Sequence, residues 1–521
     1  MTLHRRSLLA ASVSSIGWLA GGLPVPAWAQ GAKVLNVALF PEPNALMIGA
    51  GSTGPAQMVM GSVYESLLRY DEKLKPLPSL ATEWTVSKDG LVYTFKLKKG
   101  VSWHDGKPFT ADDVVFSADK LMRAFNPRFR VGLLSVASIK ALDALTVEFR
   151  LNYPYAAFLG LFDISSCSIG PKHLLDGQDL SKPPTGTPVG TGPFKFKEWV
   201  RGSHIQLVKN DKYHEAGQPS IDNVYWHIIP DGASRAAAFE SGKVDVLPGG
   251  TVEYFDVPRL AKLPGVSVTQ KGYEKFAPLA SIWINHRVPL LADLRVRQAL
   301  MHAIDRQALA QVVWQGFATP AAGPFNRYTP YFTDKVKQYP RDAAKAKALL
   351  AAAGYKGEPV RLQGLPFGET WTRMAEMVKQ QLTLAGFNIQ LNSNDMATTM
   401  ARQANWDFDL AFTFLYQSGD PALGVARNYI GSEIRKGSPF NNVGGYQNVK
   451  VDALFERGSR QTQPADRAAT YAEVQRTMVD DVAALWLLDL DFPTVYRSSK
   501  VDNPISSAVG LNDSLGRAAI R

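Results

Sequence analysis

Within residues 91–122 the spacing of the apolar side chains changes once, from every second residue to the spacing of one helix face. This change restricts the fold more than any other feature of the chain. Residues 91–100 read LVYTFKLKKG, and such alternation of apolar and polar side chains is typical of a half-buried strand. Residues 110–122 read TADDVVFSADKLM, where apolar residues recur at the spacing of one helix face. Thr110 occupies an N-cap position with Asp113 three residues later, an acidic form of the capping box. The pattern predicts a strand, a turn and a capped helix, and therefore a mixed α/β chain.

The turn between these two elements holds a histidine beside an aspartate, His104 and Asp105, within the sequence VSWHDGKPFTADDV. A catalytic triad needs a histidine that is hydrogen-bonded to its aspartate and also faces a third group. Adjacent residues on a turn do not naturally present that arrangement. Gly100, Gly106 and Pro108 are residues that favour turns. We therefore interpret the pair as part of a structural turn and not as an active site.

Further strands and helices are predicted along the rest of the chain. Its 521 residues suffice for three domain-sized units at roughly 150 residues each. The clearest strand patterns are Val34–Phe40, Leu145–Leu151 and Asn223–Ile229, and the clearest helix patterns are Leu294–Ile304, Asp342–Ala353 and Thr370–Ala385. Strands and helices thus alternate throughout, which predicts an α/β or α+β fold.

The N-terminus is typical of a secretory signal peptide. Residues 1–29 contain a twin-arginine pair, an apolar stretch from Leu8 to Leu23, and the A-x-A cleavage pattern Ala27-Trp28-Ala29. The apolar stretch is short and interrupted by glycines, which argues against a membrane anchor. The single cysteine, Cys167, lies far from the cleavage site, so we expect no lipid anchor there. The sequence therefore predicts a periplasmic protein that is not lipid-anchored.

Charge and motifs argue against several classes of function. The formal charge of +10 arises from 57 basic and 47 acidic residues that are interspersed, and we expect no nucleic-acid partner. The chain has no GxxxxGK[ST], HExxH, CxxC or GxSxG motif. The histidines are scattered; His286 and His302 are the pair that folding could bring together, and we expect no metal site and no cofactor. Asp407 and Asp409 share one strand face, either as solvated acids or as the carboxylate pair of a glycosidase.

Several segments share their sequence pattern, in order, with one known family. They are Val63–Met122, Val189–His214 with its VGTGPF motif, Leu294–Phe325, Ala343–Gly354, Met374–Leu391 and Trp406–Phe412. Together they resemble the family 5 extracellular solute-binding proteins of ABC importers, which bind peptides, nickel or opines. The resemblance covers nearly all of the chain after the signal segment.

The resemblance implies a fold as well as a family. The expected fold is the α/β periplasmic binding protein of type II, in which a hinge joins two lobes and a smaller third domain is inserted in lobe one. The chain is expected to cross between the lobes near Trp283–Asn285 and Leu487–Asp491. The expected segments are 31–70, 185–282 and 485–521 for lobe one, 71–184 for the inserted domain, and 283–484 for lobe two.

The resemblance also implies a function. A periplasmic substrate-binding component would capture a peptide or a similar small organic solute by lobe closure, as a monomer, and deliver it to ABC permease and ATPase subunits. A secreted hydrolase is one alternative, but the sequence offers no convincing nucleophile–base or two-carboxylate arrangement, and we expect no enzyme. A sensory receptor for the same solutes is another, and sequence does not separate it from a transport component because both use lobe closure.

Ligand-binding residues are inferred from the same resemblance. Dipeptide binders of the family place an arginine for the ligand carboxylate in the segment that matches Leu362–Thr370, which here has none. Peptide binders hold the ligand ammonium with an aspartate that corresponds to Asp420, although an aspartate before proline also bonds its own turn. The candidate residues are Asp420, Tyr416, Trp283, Asn44, Arg427 and Asn441.

Cleavage after Ala29 should give an exported protein that begins at Gln30, because the A-x-A pattern ends there. N-terminal sequencing and intact mass of the protein from a periplasmic extract measure this. Recovery in the membrane pellet with Met1 retained, or a mass increased by a lipid, would contradict the prediction.

Overall fold

A computed structural model describes residues 31–48 and 54–521, so the predicted signal segment lies outside the described residues. The strands are β1 (Val34–Leu39), β2 (Leu68–Tyr70), β3 (Pro76–Pro78), β4 (Ala81–Val86), β5 (Val92–Leu97), β6 (Val136–Asp143), β7 (Thr146–Leu151), β8 (Phe194–Val200), β9 (His204–Lys209), β10 (Asn223–Ile228), β11 (Val246–Leu247), β12 (Ser267–Thr269), β13 (Leu279–Ile284), β14 (Ala318–Pro320), β15 (Pro359–Gln363), β16 (Asn388–Asn392), β17 (Leu410–Leu415), β18 (Leu485–Leu490), β19 (Thr494–Tyr496), β20 (Val501–Asp502) and β21 (Ala519–Ile520).

Helices of varied length lie between the strands, as the sequence predicts. They are α1 (Gly54–Met60), α2 (Ala111–Phe116), α3 (Arg123–Phe125), α4 (Pro127–Gly132), α5 (Lys172–Leu175), α6 (Gly232–Glu240), α7 (Val257–Leu260), α8 (Pro289–Ala292), α9 (Leu294–Ala303), α10 (Arg306–Ala308), α11 (Ala343–Ala352), α12 (Glu369–Leu384), α13 (Met396–Ala404), α14 (Pro421–Gly424), α15 (Val449–Arg460) and α16 (Pro464–Asp481). In the described part of the chain, none of them is long and apolar enough to cross a membrane.

The first large sheet has seven strands in the order β12-β19-β11-β1-β10-β9-β8. Strand β1 is parallel to both of its neighbours, β10 and β11, whereas β9 and β8 complete the sheet as antiparallel strands. Leu35, Val37 and Leu39 of β1 and Trp226 of β10 are fully buried. We call this sheet, with the helices that cover it, lobe one.

The second large sheet has six strands in the order β14-β18-β13-β17-β15-β16. Strand β13, with the sequence LASIWI, is buried at every position and pairs antiparallel with β17 and β18. A strand that is apolar on both faces belongs in the middle of a covered sheet, which explains this position. Helices α9, α12 and α16 contribute buried residues to the same apolar core. We call this sheet and its helices lobe two.

A smaller antiparallel sheet, β4-β5-β7-β6, lies within the residues predicted as the inserted domain. It confirms the strands expected at residues 91–100 and 145–151. Phe95, Phe149 and Phe162 pack edge-on or tilted around its centre, with ring centroids 5.0 to 5.7 Å apart. Their cluster is continuous with the core of lobe one, and the separate domain of residues 71–184 stays a prediction.

The turn at His104 has the structural role that the sequence indicates. The Thr110 amide donates to the carboxylate of Asp113 at 2.9 Å, and this buried carboxylate also accepts from the amide of Lys172 at 2.9 Å. His104 Nδ1 accepts from the amide of Gly190 at 3.2 Å, and its Nε2 lies 2.9 Å from the carbonyl of Gly192. The ring therefore joins the turn to the GTG segment. Burial lowers the pKa of His104 to about 4, which keeps the ring neutral.

In the described residues the chain crosses between the two large sheets twice, at residues 270–278 and 491–493. At each crossing the chain changes sheets one strand away from the predicted lobe boundary. Residues 279–282 and 485–490 were expected in lobe one, but they form most of β13 and all of β18, which pair with each other in the sheet of lobe two. The backbone pairing of these two apolar strands decides their lobe.

Candidate functional site

Lobe two contacts the smaller antiparallel sheet and its helices through the loop that follows β17. Helix α14 packs against α4. Leu423 of α14 is buried in the apolar cluster that contains β5 and β7. The amide of Ala156 also donates to the carbonyl of Ser459 at 3.1 Å. These contacts bring side chains from distant parts of the sequence to one place.

Arg128, Tyr416 and Arg427 lie close together at this junction. Arg128 is on α4, Arg427 is on the 3₁₀ turn that follows α14, and Tyr416 comes directly after β17. The Tyr416 ring packs against Phe276 and Phe414, with centroid distances of 4.7 and 5.5 Å. The charge of Arg128 is near enough to influence the pKa of both Tyr416 and Arg427. Two lobes therefore supply this group of side chains.

The two arginines have no protein partner for their side chains. Within residues 31–48 and 54–521, the Nε atoms of Arg128 and Arg427 are buried and donate to no acceptor, and neither guanidinium forms an ion pair. Burial, and after it the charge of Arg128, lowers the pKa of Arg427 to about 9. Burial also lowers the pKa of Arg128. Both groups stay protonated at neutral pH, so two like charges lie near each other where burial disfavours the charged form.

Lys275 and Asp163 form a buried ion pair beside Arg128. Lys275 Nζ lies 3.0 Å from Asp163 Oδ1, and the two side chains are 3% and 2% exposed. Lys275 also donates to the carbonyl of Gly160 at 2.9 Å, and Ser165 donates to the other Asp163 oxygen at 2.7 Å. This carboxylate is therefore already engaged. With Lys275 the site holds more cations than carboxylates, and its local charge is positive.

A second direct contact between the lobes lies at the start of α12. Glu253, which follows β11 in lobe one, accepts from the amides of Glu369 and Thr370 at 3.1 and 3.0 Å and from the Thr370 hydroxyl at 2.8 Å. Glu253 is 8% exposed. A carboxylate at a helix N-terminus satisfies free amides and interacts favourably with the helix dipole. This attraction holds the first turn of α12 against lobe one.

The family model of bacterial extracellular solute-binding proteins, family 5, matches residues 75–434, more than half of the chain. The chain belongs to this family. Among curated relatives, a glutathione-binding protein, GsiB, of Pectobacterium atrosepticum is 28% identical over 502 residues, covering 94% of this chain and 93% of the relative. A dipeptide-binding protein of Escherichia coli is 29% identical over 478 residues, covering 85% and 86%.

Solved structures of similar proteins agree with the architecture. The periplasmic binding protein DppA from Helicobacter pylori, in complex with the peptide STSA, is 25% identical, with a TM-score of 0.83 over 94% of this chain and 98% of that chain. The oligopeptide-binding protein AppA from Bacillus subtilis is 24% identical, with a TM-score of 0.82 over 94% and 99%. The predicted type II periplasmic binding protein fold is thereby confirmed.

Two of the six residues expected in the site of this family 5 protein belong to the packing of lobe two. Trp283 lies on β13, is 2% exposed, and packs against Tyr429 with a centroid distance of 5.6 Å. Asp420 caps α14 through the amide of Ala422 at 2.9 Å and pairs with buried Arg467 at 2.9 Å. These contacts favour the structural alternative for Asp420, because its carboxylate is already engaged within lobe two.

The other four expected residues are distributed between the junction and the surface. Tyr416 and Arg427 lie at the junction described above. Asn44 is exposed, and its carbonyl accepts from Arg201 at 3.3 Å. Asn441 is half-buried, and its side chain accepts from Ser438 at 3.0 Å. The ligand roles of these residues stay predictions.

Sequence reasoning missed Arg128, Lys275, Asp163 and Glu253. Arg128 follows Asn126 at the start of a short helix, where a surface arginine is the ordinary expectation. Its burial depends on α14, which lies almost three hundred residues away in the chain. No local sequence pattern predicts a contact between segments so far apart. The four residues are themselves distant from one another in the sequence, so they do not form a motif.

The acidic pair and the two histidines that the sequence offered as candidates for glycosidase or metal chemistry have structural roles instead. Asp407 and Asp409, which lie just before β17, both pair with Arg361 of β15, at 2.7 and 2.8 Å. His286 contacts the carbonyl of Ala483 and His302 that of Pro340, so the two rings serve separate loops. Among the described residues no group of three histidine, cysteine or acidic side chains is placed to hold a metal ion.

Asp420→Asn should lower the stability of the ligand-free protein by about 3 kcal/mol, because it leaves the buried Arg467 guanidinium without its carboxylate. Because asparagine can still cap α14, the loss of stability measures the contribution of the ion pair with Arg467. Urea unfolding measures the change. Asp395→Asn is the matched control, since Asp395 caps α13 at an exposed position without an arginine partner. Unchanged stability together with a large loss of ligand affinity would return Asp420 to the ligand site.

Glu253→Gln should weaken the contact between the lobes, since it removes the charge that accepts from the first amides of α12. Hydrogen exchange of the Glu369 and Thr370 amides should accelerate, and small-angle scattering of the ligand-free protein should show a larger radius of gyration. The exposed Glu369→Gln is the control. Identical exchange and identical radius in Glu253→Gln would show that the contact does not hold the lobes.

Proposed function

We propose that this protein is the substrate-binding component of an ABC importer and that it captures a peptide or a similar small organic solute. Membership of family 5 and the two-lobed fold support this function. The relatives that bind glutathione and dipeptides, and the structural neighbour that holds the peptide STSA, support the class of ligand. Family and relatives are binding proteins, and we propose that the solute is released unchanged.

The observation that carries the proposal is that the residues of the candidate site come from both lobes. Arg128 comes from the part of the chain that packs with lobe one, whereas Tyr416 and Arg427 come from lobe two. Two short crossings, at residues 270–278 and 491–493, connect the lobes. A ligand that contacts both sides binds the closed arrangement better than an open one, so it shifts the population towards closure.

Closure is then the signal that a transporter detects. We propose that a permease and its ATPase subunits, the usual partners of such proteins, receive the closed form, and that the protein acts as a monomer. The A-x-A pattern before Gln30 and the lack of a cysteine there support a free periplasmic protein. The same closure can also serve a sensory partner, and transport assays in a strain lacking the permease separate the two roles.

A bound solute should stabilise the folded protein and make it more compact. A ligand that binds the native state alone adds about 2.7 kcal/mol when present at about 100 times its Kd. Thermal unfolding with a panel of dipeptides, glutathione, opines and nickel–histidine measures the first effect. Small-angle scattering with the same panel measures the second, because closure reduces the radius of gyration.

The panel includes its own controls. Uncharged sugars, which lie outside the proposed class of ligand, should change neither the melting temperature nor the radius. Chemical conversion of any stabilising solute, followed by mass spectrometry, would contradict a binding protein and favour a hydrolase. Stabilisation without compaction would contradict lobe closure.

A further inference from the structure

We propose that the solute is an anion whose acid group binds between Arg128 and Arg427. This inference rests on the proposed function and narrows its ligand to solutes that carry a carboxylate or another oxyanion. Tyr416, which lies beside Arg128, is assigned as a third donor to the same group. No residue of this set is paired with a protein carboxylate.

The first step is that the chain supplies no counter-ion for the two arginines. Residues 1–30 and 49–53 contain no aspartate or glutamate, so all 47 acidic residues lie in the described part of the chain. The acids whose charges act on the two arginines are Asp163 and Glu433, and each has another partner. Asp163 pairs with Lys275 at 3.0 Å, and Glu433 pairs with Arg435 at 3.0 Å.

The second step is that other buried arginines of this protein are fully engaged. Arg235 donates to three backbone carbonyls at 2.6 to 2.9 Å, and Arg297 donates to three others at 2.7 to 3.1 Å. Arg467 pairs with a carboxylate at 2.9 Å. Buried polar groups in proteins are hydrogen-bonded as a rule, and exceptions call for an explanation. Arg128 and Arg427 are such exceptions in one place.

The third step is that the arrangement disfavours the empty site. Two desolvated cations repel each other, and neither receives the hydrogen bonds that it would have in water. An oxyanion between them would accept charge-assisted hydrogen bonds from both guanidinium groups and would replace repulsion by attraction. The free energy gained is greatest in the closed form, because closure brings Arg427 on lobe two next to Arg128.

The fourth step concerns Tyr416. Its side chain forms no hydrogen bond to the described residues, although its ring is packed between Phe276 and Phe414. Burial raises the pKa of Tyr416, so the hydroxyl stays protonated and remains a donor at neutral pH. A donor without a protein partner near the Arg128 guanidinium suits an acceptor-rich ligand group.

Matched pairs of solutes test the charge preference. Glutathione and its diethyl ester share one skeleton but differ in carboxylate charge, and so do the dipeptides Ala-Glu and Ala-Gln amide. Thermal unfolding and calorimetry should show that the acids bind and that their partners without a carboxylate bind at least about 30-fold more weakly. Inorganic phosphate and phosphoserine form a further arm, which separates a carboxylate site from a phosphate site.

Arginine variants test the two residues directly. Arg128→Gln and Arg427→Gln should each weaken binding of the preferred acid at least about 30-fold, since each removes one charged donor. The same variants should raise the melting temperature of the ligand-free protein, because an unpaired buried cation is removed. Arg130→Gln is the control, as Arg130 is exposed on the same helix, and it should leave affinity within about threefold.

The outcomes separate this inference from the proposed function. Equal binding of the acids and their partners without a carboxylate, or a lower melting temperature in both arginine variants, overturns the anion site but leaves a solute-binding protein. Binding of solutes without a carboxylate or another oxyanion alone has the same meaning. Failure of every panel member, charged or neutral, to stabilise the protein overturns the proposed function, and the anion site falls with it.

Discussion

The connection of two large sheets by two short crossings is the constraint on which the rest of this structure depends. Residues 270–278 and 491–493 carry the chain between the lobes in the described part of the protein. Tyr273 of the first crossing packs edge-on against Phe492 of the second at 5.1 Å, so the crossings support each other. Lys275 then ties the first crossing to Asp163 through a buried ion pair. Each lobe has its own core, and rotation about the crossings leaves both cores intact.

The two lobes meet through electrostatic contacts of opposite sign. Glu253 attracts the N-terminus of α12, whereas Arg128 and Arg427 repel each other. The first contact favours closure without a ligand, and the second opposes it. A bound oxyanion would reverse the sign of the second contact, so the same pair of residues would couple ligand charge to lobe position. This balance between attraction at Glu253 and repulsion between the two arginines requires no catalytic group, as is expected of a binding protein.

The contrast between Arg467, which is buried, and Arg128, whose Nε atom is buried, shows how the role of an arginine depends on its partners. Arg467 has Asp420, a backbone carbonyl and a tyrosine hydroxyl around it, and it contributes to the packing of lobe two. Arg128 has none of these partners and carries a cost in stability. Proteins accept such local costs mainly where function requires them. The expected ligand role of Asp420 came from the resemblance to peptide binders, whereas its place before a proline indicated the structural alternative, a carboxylate that bonds its own turn.

The sequence by itself determined the local elements and the family. Strand periodicity, helix periodicity and helix caps are local properties of the chain. A window of a few residues therefore suffices to predict the strand at residues 91–100 and the helix cap at Thr110 and Asp113. The tertiary structure decided the lobe of β13, the engagement of Asp420 and the meeting of Arg128 with Arg427. Strand pairing, ion pairs and burial are contacts between distant segments, and a single sequence does not specify which distant segment will supply, or withhold, a partner.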